Sequence, residues 1–574
     1  MTEREPEDAS WLTLFETSGG LDSPGYDETL EYFGRLATAS SEARLLPIGK
    51  SPQGRPLCVF VAARDGDFTP QAARAHRKLV VLVSNGIHAG EIEGKDASML
   101  FLRELLVSKQ TDKAHLLDRL VLLVLPVFNV DGHELRSPHG RPNQDGPRLT
   151  GWRTNAANLN LNRDYAKADA PEMRAVLSLF ATWQPDFVID NHATNGADYR
   201  YHVTYDLETQ QQCDPALAAL AKEQLLPYVK GQVEAEGFLT APYVQLRGPS
   251  VESGLVDHPG TPRTSTGYGA ARNRLTLLVE THSLKPFENR VRSTKATNEA
   301  VFRFLHDHRD LVLARNHEAD AATIYRYLHE QEPFPLVLES SAESEPFPFK
   351  AWKTRVETSA ITGGPVLRYE RGEPHDVEVP FFGKAVVKES VVVPLAYLVP
   401  RELTQVIEVL TAHGIEHHAA EEAEWHAERY TFESPRFSGF PYEGRQMVDT
   451  QVSVRSERLR ISPDDVFVPT GQRLLRLIVH LLEPRGPDSF VKWGFFNAFF
   501  ERKEYAETYV MEPIAVRMKA EDPALAKEFE KALETDERLR SDPGLRLDFF
   551  YRRSPYFDRH QNRYPVVRLL YRTS

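Results

Sequence analysis

The sequence predicts an α/β fold in which a mixed, mostly parallel sheet is sandwiched by helices, followed by a β-rich α+β region. Four apolar runs, at residues 79–84, 119–127, 185–190 and 275–279, lack polar alternation, which is typical of strands buried on both faces. Helical patterns separate these runs at the spacing of an α/β sandwich. Beyond residue 333 the chain changes to short alternating runs with Gly-Gly and Gly-Glu-Pro turns, which favours antiparallel β structure.

The amino-terminal elements follow one another in a regular order. A helix is predicted at residues 26–36, and a hairpin-like pair of strands at 43–48 and 56–63. Further helices are predicted at 95–107, 171–183, 215–236 and about 287–329. Residues 239–269 are rich in Gly, Pro, Ser and Thr, and a loop of that length in a compact domain is usually functional. We predict a domain boundary near Pro333, which gives domains 1–332 and 333–574.

The second predicted domain is expected to pack on the first and to narrow access to its site. Its predicted elements are antiparallel strands within 347–393, a strand at 395–399, a helix at 402–413, strands from 415, at 429–432 and at 473–482, and a helix at 522–537. Aromatic residues crowd 492–500, where core packing is the default over a binding surface. A second metal site is a weaker hypothesis for His413, His417, His418 and His426, two of which are adjacent and point apart on a strand.

Composition limits the possible classes of function. The chain has 574 residues and a formal net charge of -13, so a general nucleic-acid binder is not expected. No apolar run approaches a membrane span, and residues 1–10 lack a signal-peptide pattern. We therefore expect a cytoplasmic protein, although a trimmed export signal would leave the same picture. Cys58 and Cys213 are too few for a disulfide framework or a thiolate zinc site.

Four polar side chains follow the ends of predicted buried strands. His88 and Glu91 come after the first strand, His192 after the third, and Glu280 closes the fourth. In open α/β sheets this carboxyl edge is where ligands bind. Imidazole and carboxylate are zinc ligands, and a short spacer followed by a spacer of roughly a hundred residues is common in catalytic zinc sites. The alternatives are a solvated His-Glu pair and a hydrogen-bonded core histidine at position 192.

Glu280 and a polar loop supply the other candidate catalytic groups. A carboxylate that ends an apolar strand must be paired, hydrogen-bonded or functional, because burying an unpaired charge costs too much free energy. Beside a zinc-bound water, such a carboxylate can take a proton from the water and give it to a leaving amine. The loop 151–165 carries Arg153, Asn162 and Arg163. An Arg can stabilise negative charge on a polarised carbonyl, and an Asn-Arg pair can bind a carboxylate. The alternative is a solvated Arg-rich loop.

Five motifs in this order resemble those of the carboxypeptidase A-like zinc metallopeptidases, including larger bacterial members with an extra carboxyl-terminal region. They are Gly-Ile-His88-Ala-Gly-Glu91, Trp152-Arg153, Leu161-Asn162-Arg163-Asp164-Tyr165, Asp190-Asn191-His192 and Leu277-Leu-Val-Glu280. The resemblance spans about residues 26–308. It implies one zinc ion per chain bound by His88, Glu91 and His192, Glu280 as general base and acid, Arg153 polarising the scissile carbonyl, and Asn162 with Arg163 holding the substrate's terminal carboxylate.

The chain departs from that family's pattern at two points. The family usually has an Asp two residues before the clamp Asn, where this chain has Asn160, and an amide makes a ligand histidine less basic than a carboxylate does. The family's substrate-binding Tyr lies farther before the general base than Tyr268 does. We therefore take Tyr268 as a candidate for that role, and Arg263 in the same loop as a second candidate contact for the substrate carboxylate.

These observations favour a zinc-dependent exopeptidase that removes carboxyl-terminal residues from peptides with a free carboxylate. Two alternatives remain open at this point. The first is a zinc-dependent deacylase or amidase that cuts an N-acyl amino acid or a cell-wall peptide. The other is an inactive binding module, for which loss of a ligand or base would be the signature. The sequence does not indicate side-chain specificity or oligomeric state, and it predicts no nucleic-acid or membrane partner.

Overall fold

The computed structural model describes residues 9–108, 113–194 and 197–573. Most of the polar start at residues 1–10 therefore lies outside the described part. The described chain forms two larger sheets and two smaller ones. The strands are β1 (Ala43–Lys50), β2 (Pro56–Ala62), β3 (Leu79–Asn85), β4 (Leu120–Leu125), β5 (Phe187–Thr194), β6 (Val203–Asp206), β7 (Thr240–Pro242), β8 (Leu255–Val256), β9 (Leu275–His282), β10 (Phe334–Ser340), β11 (Glu345–Thr358), β12 (Pro365–Phe382), β13 (Ala385–Val391), β14 (Ala396–Val399), β15 (His418–Ala419), β16 (Glu424–Phe437), β17 (Val448–Arg460), β18 (Val466–Pro469) and β19 (Val567–Arg572).

The helices cover both faces of the first sheet and form a small cluster late in the chain. They are α1 (Leu14–Thr17), α2 (Tyr26–Ala39), α3 (Pro70–Ala75), α4 (Glu93–Leu106), α5 (Val130–Glu134), α6 (Pro171–Thr182), α7 (Pro215–Leu220), α8 (Leu226–Ala235), α9 (Ser265–Ala271), α10 (Phe287–Asp307), α11 (Arg309–Ile324), α12 (Thr404–Ala412), α13 (Leu475–Leu482), α14 (Thr508–Glu521), α15 (Pro523–Thr535), α16 (Glu537–Ser541) and α17 (Pro543–Tyr551). Within the described ranges, no helix has the length and apolar character needed to cross a bilayer.

The first sheet has eight strands in the order β1-β2-β4-β3-β5-β9-β6-β7. Its centre is parallel, because β4, β3, β5 and β9 all run in one direction, and β2 and β6 run opposite to their neighbours in that group. Every residue of β3 is buried. Its side chains alternate between two hydrophobic clusters, with Val80 and Leu82 on one face and Val81 and Val83 on the other. The predicted mixed, mostly parallel sandwich is confirmed.

Strands β5 and β9 are longer than the sequence indicated. The apolar runs stop at Asp190 and Val279, but the strands continue to Thr194 and His282. Parallel pairing continues there, with His192 opposite Glu280. The two candidate site residues therefore lie inside strands, where backbone pairing fixes their positions, and not in loops beyond the strand ends.

The remaining sequence lies in a β-rich region whose largest sheet has the order β15-β18-β14-β19-β16-β17. The predicted strand at 473–482 is wrong, because α13 occupies most of it. In this helix Leu477 and Ile478 contact one hydrophobic cluster and Leu475 and Val479 contact another, and all eight residues of this short, mostly apolar run are buried. Such a run does not separate a buried helix from a strand by periodicity. The predicted strand from 415 shrinks to the two residues of β15.

The two halves of the chain share one hydrophobic cluster. It contains Val80 and Phe180 from the first half, and Val409, Ile478 and Tyr564 from the second. The long hairpin of β11 and β12 also pairs with β8, which lies in the predicted functional loop. The boundary near Pro333 stays a prediction, although the second half contacts the first through a continuous core.

Candidate metal centre

Two neighbouring strands deliver the predicted metal ligands to one point. Strand β3 ends at Asn85, which pairs with Asn191 on β5, so the chain leaving β3 passes close to His192. Hydrogen bonding of the Glu91 backbone N–H to the His88 carbonyl closes a turn before α4 begins. One ligand atom from each of His88, Glu91 and His192 lies within 4.8 Å of the others, and all three side chains are buried.

The two imidazole rings are oriented as ligands would be. Glu91 Oε2 lies 3.2 Å from His88 Nδ1 and 3.0 Å from His192 Nδ1. The opposite nitrogens face acceptors, with His88 Nε2 at 3.1 Å from Asn160 Oδ1 and His192 Nε2 at 3.0 Å from Asp190 Oδ2. Because those acceptors favour a proton on Nε2, both Nδ1 atoms are assigned the role of metal donors. Two imidazoles and one carboxylate are a donor set of catalytic zinc sites, so these residues fit zinc.

Burial and charge act differently on the two histidines. Burial lowers the pKa of His88 to about 4, which keeps this imidazole neutral and able to bind a cation at physiological pH. Burial also acts to lower the pKa of His192, but the carboxylates of Asp190 and Glu91 outweigh it and raise that pKa well above its usual value. The negative charge collected around His192 is the charge that a bound cation would neutralise.

Arg141 is a site residue that the sequence did not reveal. Its Nη2 donates to Glu91 Oε1 at 2.5 Å, and its side chain is buried. An added Cβ at Gly90 would lie 2.5 Å from Arg141 Cγ and 2.7 Å from the Gly151 carbonyl oxygen, so any side chain at position 90 would displace this packing. Arg141 therefore fixes Oε1 of Glu91, which also lies 3.2 Å from His88 Nδ1, while Oε2 faces both histidines.

Replacing Asp190 by Asn is expected to weaken zinc binding by about 10- to 100-fold. An Asn amide can donate to His192 Nε2, which would move the ring proton to Nδ1 and remove the lone pair that a metal needs. Competition with a chromophoric chelator measures the zinc dissociation constant. Asp198→Asn is the control, because Asp198 Oδ1 faces a different buried histidine, His282, at 3.3 Å. Equal zinc affinities for Asp190→Asn and the wild type would contradict this prediction.

Glu280 lies beside the ligand cluster on β9, directly opposite His192. Its side chain is 8% exposed, and no group in the described part of the chain hydrogen-bonds its Oε2. Burial raises the pKa of Glu280 to about 8; His192 opposes this rise, and the negative charge of Glu91 adds to it. A carboxyl group with a proton affinity near neutrality is suited to accept and return protons.

A cavity of about 580 Å³ is lined by most of the predicted site residues, although not by His192. It is lined by His88, Glu91, Arg153, Asn162, Arg163, Ala193, Thr194, Ala197, Tyr243, Val244, Gln245, Leu246 and Glu280. The structure thus brings Arg153, Asn162 and Arg163 to the cavity of the ligand cluster and Glu280, while their chemical roles stay predictions. Tyr243 is a further lining residue that was not identified individually, although the composition of residues 239–269 did indicate a functional loop. The negative charge of Glu280 makes the largest contribution to the raised pKa of Tyr243, which indicates that the two side chains are close.

The structure places Tyr268 and Arg263 elsewhere, which corrects both predictions. Tyr268 is 0% exposed, and its hydroxyl contacts His413 Nδ1 at 2.9 Å and accepts from Arg272 Nη1 at 3.1 Å. It lies on α9, which turns this side chain into the core. Arg263 donates from Nε to Asp488 Oδ1 at 2.6 Å and contacts the ring of Trp493. Neither residue lines the cavity.

The histidines of the second half do not form a metal site within the described residues. His413 is buried against Tyr268 and the Ala166 carbonyl oxygen, whereas His426 stacks on Tyr571. The only cluster of potential metal ligands found in the described ranges is His88, Glu91 and His192. The aromatic run at 492–500 also includes core residues, since Trp493 and Phe496 are fully buried.

A zinc-ligand cluster at the carboxyl edge of a mixed α/β sheet, with a buried carboxylate beside it, defines a zinc-dependent hydrolase. A profile of the family described as zinc carboxypeptidase, Peptidase M14, matches residues 29–241. Carboxypeptidase 2 of Trichophyton rubrum is 25% identical over 502 residues, which cover 83% of this chain and 85% of that one. Carboxypeptidase A6 of Mus musculus is 35% identical over 100 residues, or 17% of this chain and 21% of that protein.

Among solved structures, a metallo-carboxypeptidase from Pseudomonas aeruginosa matches 50% of this chain and 69% of its own, with 20% identity and a TM-score of 0.38. Residues 29–241 thus match the zinc carboxypeptidase family, and the protein is a zinc metallocarboxypeptidase. The His88, Glu91 and His192 cluster matches the His-x-x-Glu and His motif of that family.

Proposed function

We propose that this enzyme removes single residues from the carboxyl end of peptides and recognises the free terminal carboxylate. The observation that carries the proposal is the shared cavity, which is lined by two of the metal ligands and Glu280 together with two arginines and an amide. Hydrolysis of a terminal peptide bond uses three kinds of group: one that binds the terminal carboxylate, one that transfers the proton, and one that stabilises the carbonyl oxygen.

The residues divide the chemistry among them. Zinc, when bound by His88, Glu91 and His192, supplies Lewis acidity that polarises the substrate carbonyl and acidifies water. Glu280 accepts the proton that the attacking water loses and returns it to the nitrogen of the leaving amino acid. The burial of Glu280 supports this role, because it raises the pKa of the carboxyl group to about 8 and gives the group enough basicity to take that proton.

Arg153 is positioned to stabilise the negative charge that develops on the carbonyl oxygen. Its Nη1 lies 3.6 Å from Glu91 Oε1, and its side chain is 39% exposed, so it borders the ligand cluster while it faces the cavity. Burial lowers the pKa of Arg153, and the nearby negative charge of Glu91 opposes this change. An Arg guanidinium keeps its positive charge in proteins. A cation with several donors beside a polarised carbonyl acts as an oxyanion stabiliser.

Asn162 and Arg163 are the proposed clamp for the terminal carboxylate. Arg163 Nη1 donates to the Asn162 carbonyl oxygen at 2.6 Å, which holds the guanidinium against the loop that carries both residues. Among the described residues, no carboxylate forms a salt bridge with Arg163. A fixed guanidinium without an internal carboxylate partner is suited to bind a carboxylate of the substrate, which can accept two parallel hydrogen bonds.

A substrate panel tests the proposal. The panel contains one peptide with a free carboxyl end, the same peptide with a terminal amide, and an N-acetyl derivative of its last amino acid. We expect release of the last amino acid from the free peptide and at least a tenfold lower kcat/KM for the amide. Faster cleavage of the N-acetyl amino acid than of the peptide would favour the deacylase alternative and contradict the proposal.

Replacing Arg163 by Gln is expected to raise KM for the free peptide by about 10- to 100-fold, since a charge-assisted hydrogen bond contributes about 1.5–3 kcal/mol. Because the amidated peptide lacks the carboxylate, its slow turnover should change little. Steady-state kinetics on both peptides measures the difference. Arg148→Gln is the control, because Arg148 pairs with Asp22 at the surface. An equal loss on both peptides would exclude carboxylate recognition by Arg163.

A further inference from the structure

A turn from the second half of the chain reaches the loop that supports His88. Glu443 Oε2 accepts the backbone N–H of Asn160 at 2.9 Å, across 283 residues of sequence. Asn160 is the residue whose Oδ1 faces His88 Nε2 at 3.1 Å. The same Oδ1 accepts the backbone N–H of Asn162 at 3.0 Å. Two of these contacts therefore connect Glu443 to the back of a metal ligand through one residue, Asn160.

The turn that carries Glu443 is held firmly against that loop. Tyr442 and Arg445 exchange backbone hydrogen bonds of 2.9 and 3.0 Å, and Tyr442 stacks on Trp493. Arg445 Nε donates to Asp169 Oδ2 at 2.9 Å, and its Nη2 donates to Asp169 Oδ1 at 2.5 Å, so the guanidinium binds the carboxylate with two hydrogen bonds. These contacts anchor the turn on both sides of Glu443.

The backbone of Glu443 indicates that its position is constrained. Its φ is +48°, in the left-handed region, which is unfavourable for a residue other than glycine. Surrounding contacts must hold a residue in such a conformation, and here the turn directs the Glu443 side chain toward Asn160. A carboxylate that accepts a backbone N–H also lowers the freedom of the loop that contains Asn160.

We propose that Glu443 is a positioning residue of the zinc site, which acts through Asn160 to hold the acceptor of His88 in place. Asn160 is an amide at a position where a carboxylate would bind His88 Nε2 more strongly, so the orientation of its Oδ1 matters more. The Asn162 N–H fixes that oxygen from one side, and Glu443 fixes the backbone of Asn160 from the other. The second half of the chain thus completes the metal centre of the first.

The test uses the zinc affinity of the full-length protein, measured by chelator competition. Glu443→Ala is expected to weaken zinc binding by about 3- to 10-fold, less than the 10- to 100-fold typical of a direct partner of a ligand. Glu443→Gln keeps an oxygen acceptor and should stay within about twofold of the wild type. Glu443→Gly removes the carboxylate at a φ that glycine prefers, so it gives a folded variant should the Ala variant unfold. Glu422→Ala, which removes an exposed partner of Arg460, is the control.

A double-mutant cycle separates this role from general stabilisation. If Glu443 acts through Asn160, then Glu443→Ala will not weaken zinc binding further in an Asn160→Ala background. Equal losses in both backgrounds would overturn the proposal, as would a zinc affinity unchanged in both Glu443→Ala and Glu443→Gly. Zinc affinity requires no turnover, so this test is independent of the proposed substrate. A negative result in the peptide panel would not affect the conclusion on Glu443. A negative result in the zinc-affinity test would not affect the proposed substrate.

Discussion

Replacing Glu280 by Gln is expected to lower kcat by about 10²- to 10⁴-fold while zinc stays bound, because an amide cannot accept and return the proton. The change keeps the size of the side chain, and Glu280 belongs to no part of the ligand cluster. KM for the free peptide should change by no more than about threefold, since Glu280 contributes a proton transfer and not substrate affinity. Steady-state kinetics and zinc analysis on the same preparation measure both quantities.

Glu172→Gln is the matched control for that experiment. Glu172 is also fully buried with a raised pKa, of about 7, and its carboxylate accepts from Asn155 outside the cavity. Because a Gln oxygen can accept the same hydrogen bond, kcat should remain near that of the wild type. If the Glu280→Gln enzyme kept more than a tenth of the wild-type kcat, the assignment of Glu280 to the proton-transfer step would be wrong.

Replacing His192 by Ala is expected to weaken zinc binding by more than about 100-fold, beyond the effect of losing a hydrogen-bonding partner of a ligand. Two donors, from His88 and Glu91, would remain, and they are insufficient for a catalytic zinc site with three protein ligands. Elemental analysis should find about one zinc per wild-type chain and far less in the variant. Loss of zinc should abolish peptide hydrolysis.

His308→Ala is the control for the zinc measurement, because His308 stacks on Phe304 at the end of α10. It should keep the zinc content of the wild type. If the His192→Ala variant retained zinc, His192 on β5 would not be a ligand of the metal centre. A wild-type protein that binds no zinc even after reconstitution would contradict the metal assignment altogether.

The metal ligands could be predicted from sequence because their chemistry and their place in the fold coincide. His88 and Glu91 follow a run that is typical of a buried strand, and three central parallel strands carry these residues, His192 and Glu280 to one edge of the sheet. What sequence could not provide was the end of each strand. Polar residues at 190–192 suggested that β5 had finished, whereas pairing with β3 and β9 extends it to Thr194.

Residues that reach the site through irregular structure escaped prediction for a physical reason. Tyr243 reaches the cavity because it directly follows β7, the short edge strand of the first sheet, and no local periodicity encodes that position. Arg141 reaches Glu91 through a close approach of Gly90 that exists only in three dimensions. Tyr268 was misplaced because its sequence position lay near Glu280, while α9 turns its side chain into the core.

The position of β19 has a consequence for the order of biosynthesis. This strand comes from residues 567–572, yet it lies between β14 and β16 in the sheet of the second half. A ribosome must therefore translate the chain beyond residue 572 before that sheet can close, and domains generally fold as units during synthesis. The sheet includes β16 and β17, the strands that flank the turn bearing Glu443. The zinc pocket of a nascent chain should thus acquire its final support only after β19 has been translated, and full proteolytic competence should be delayed until then.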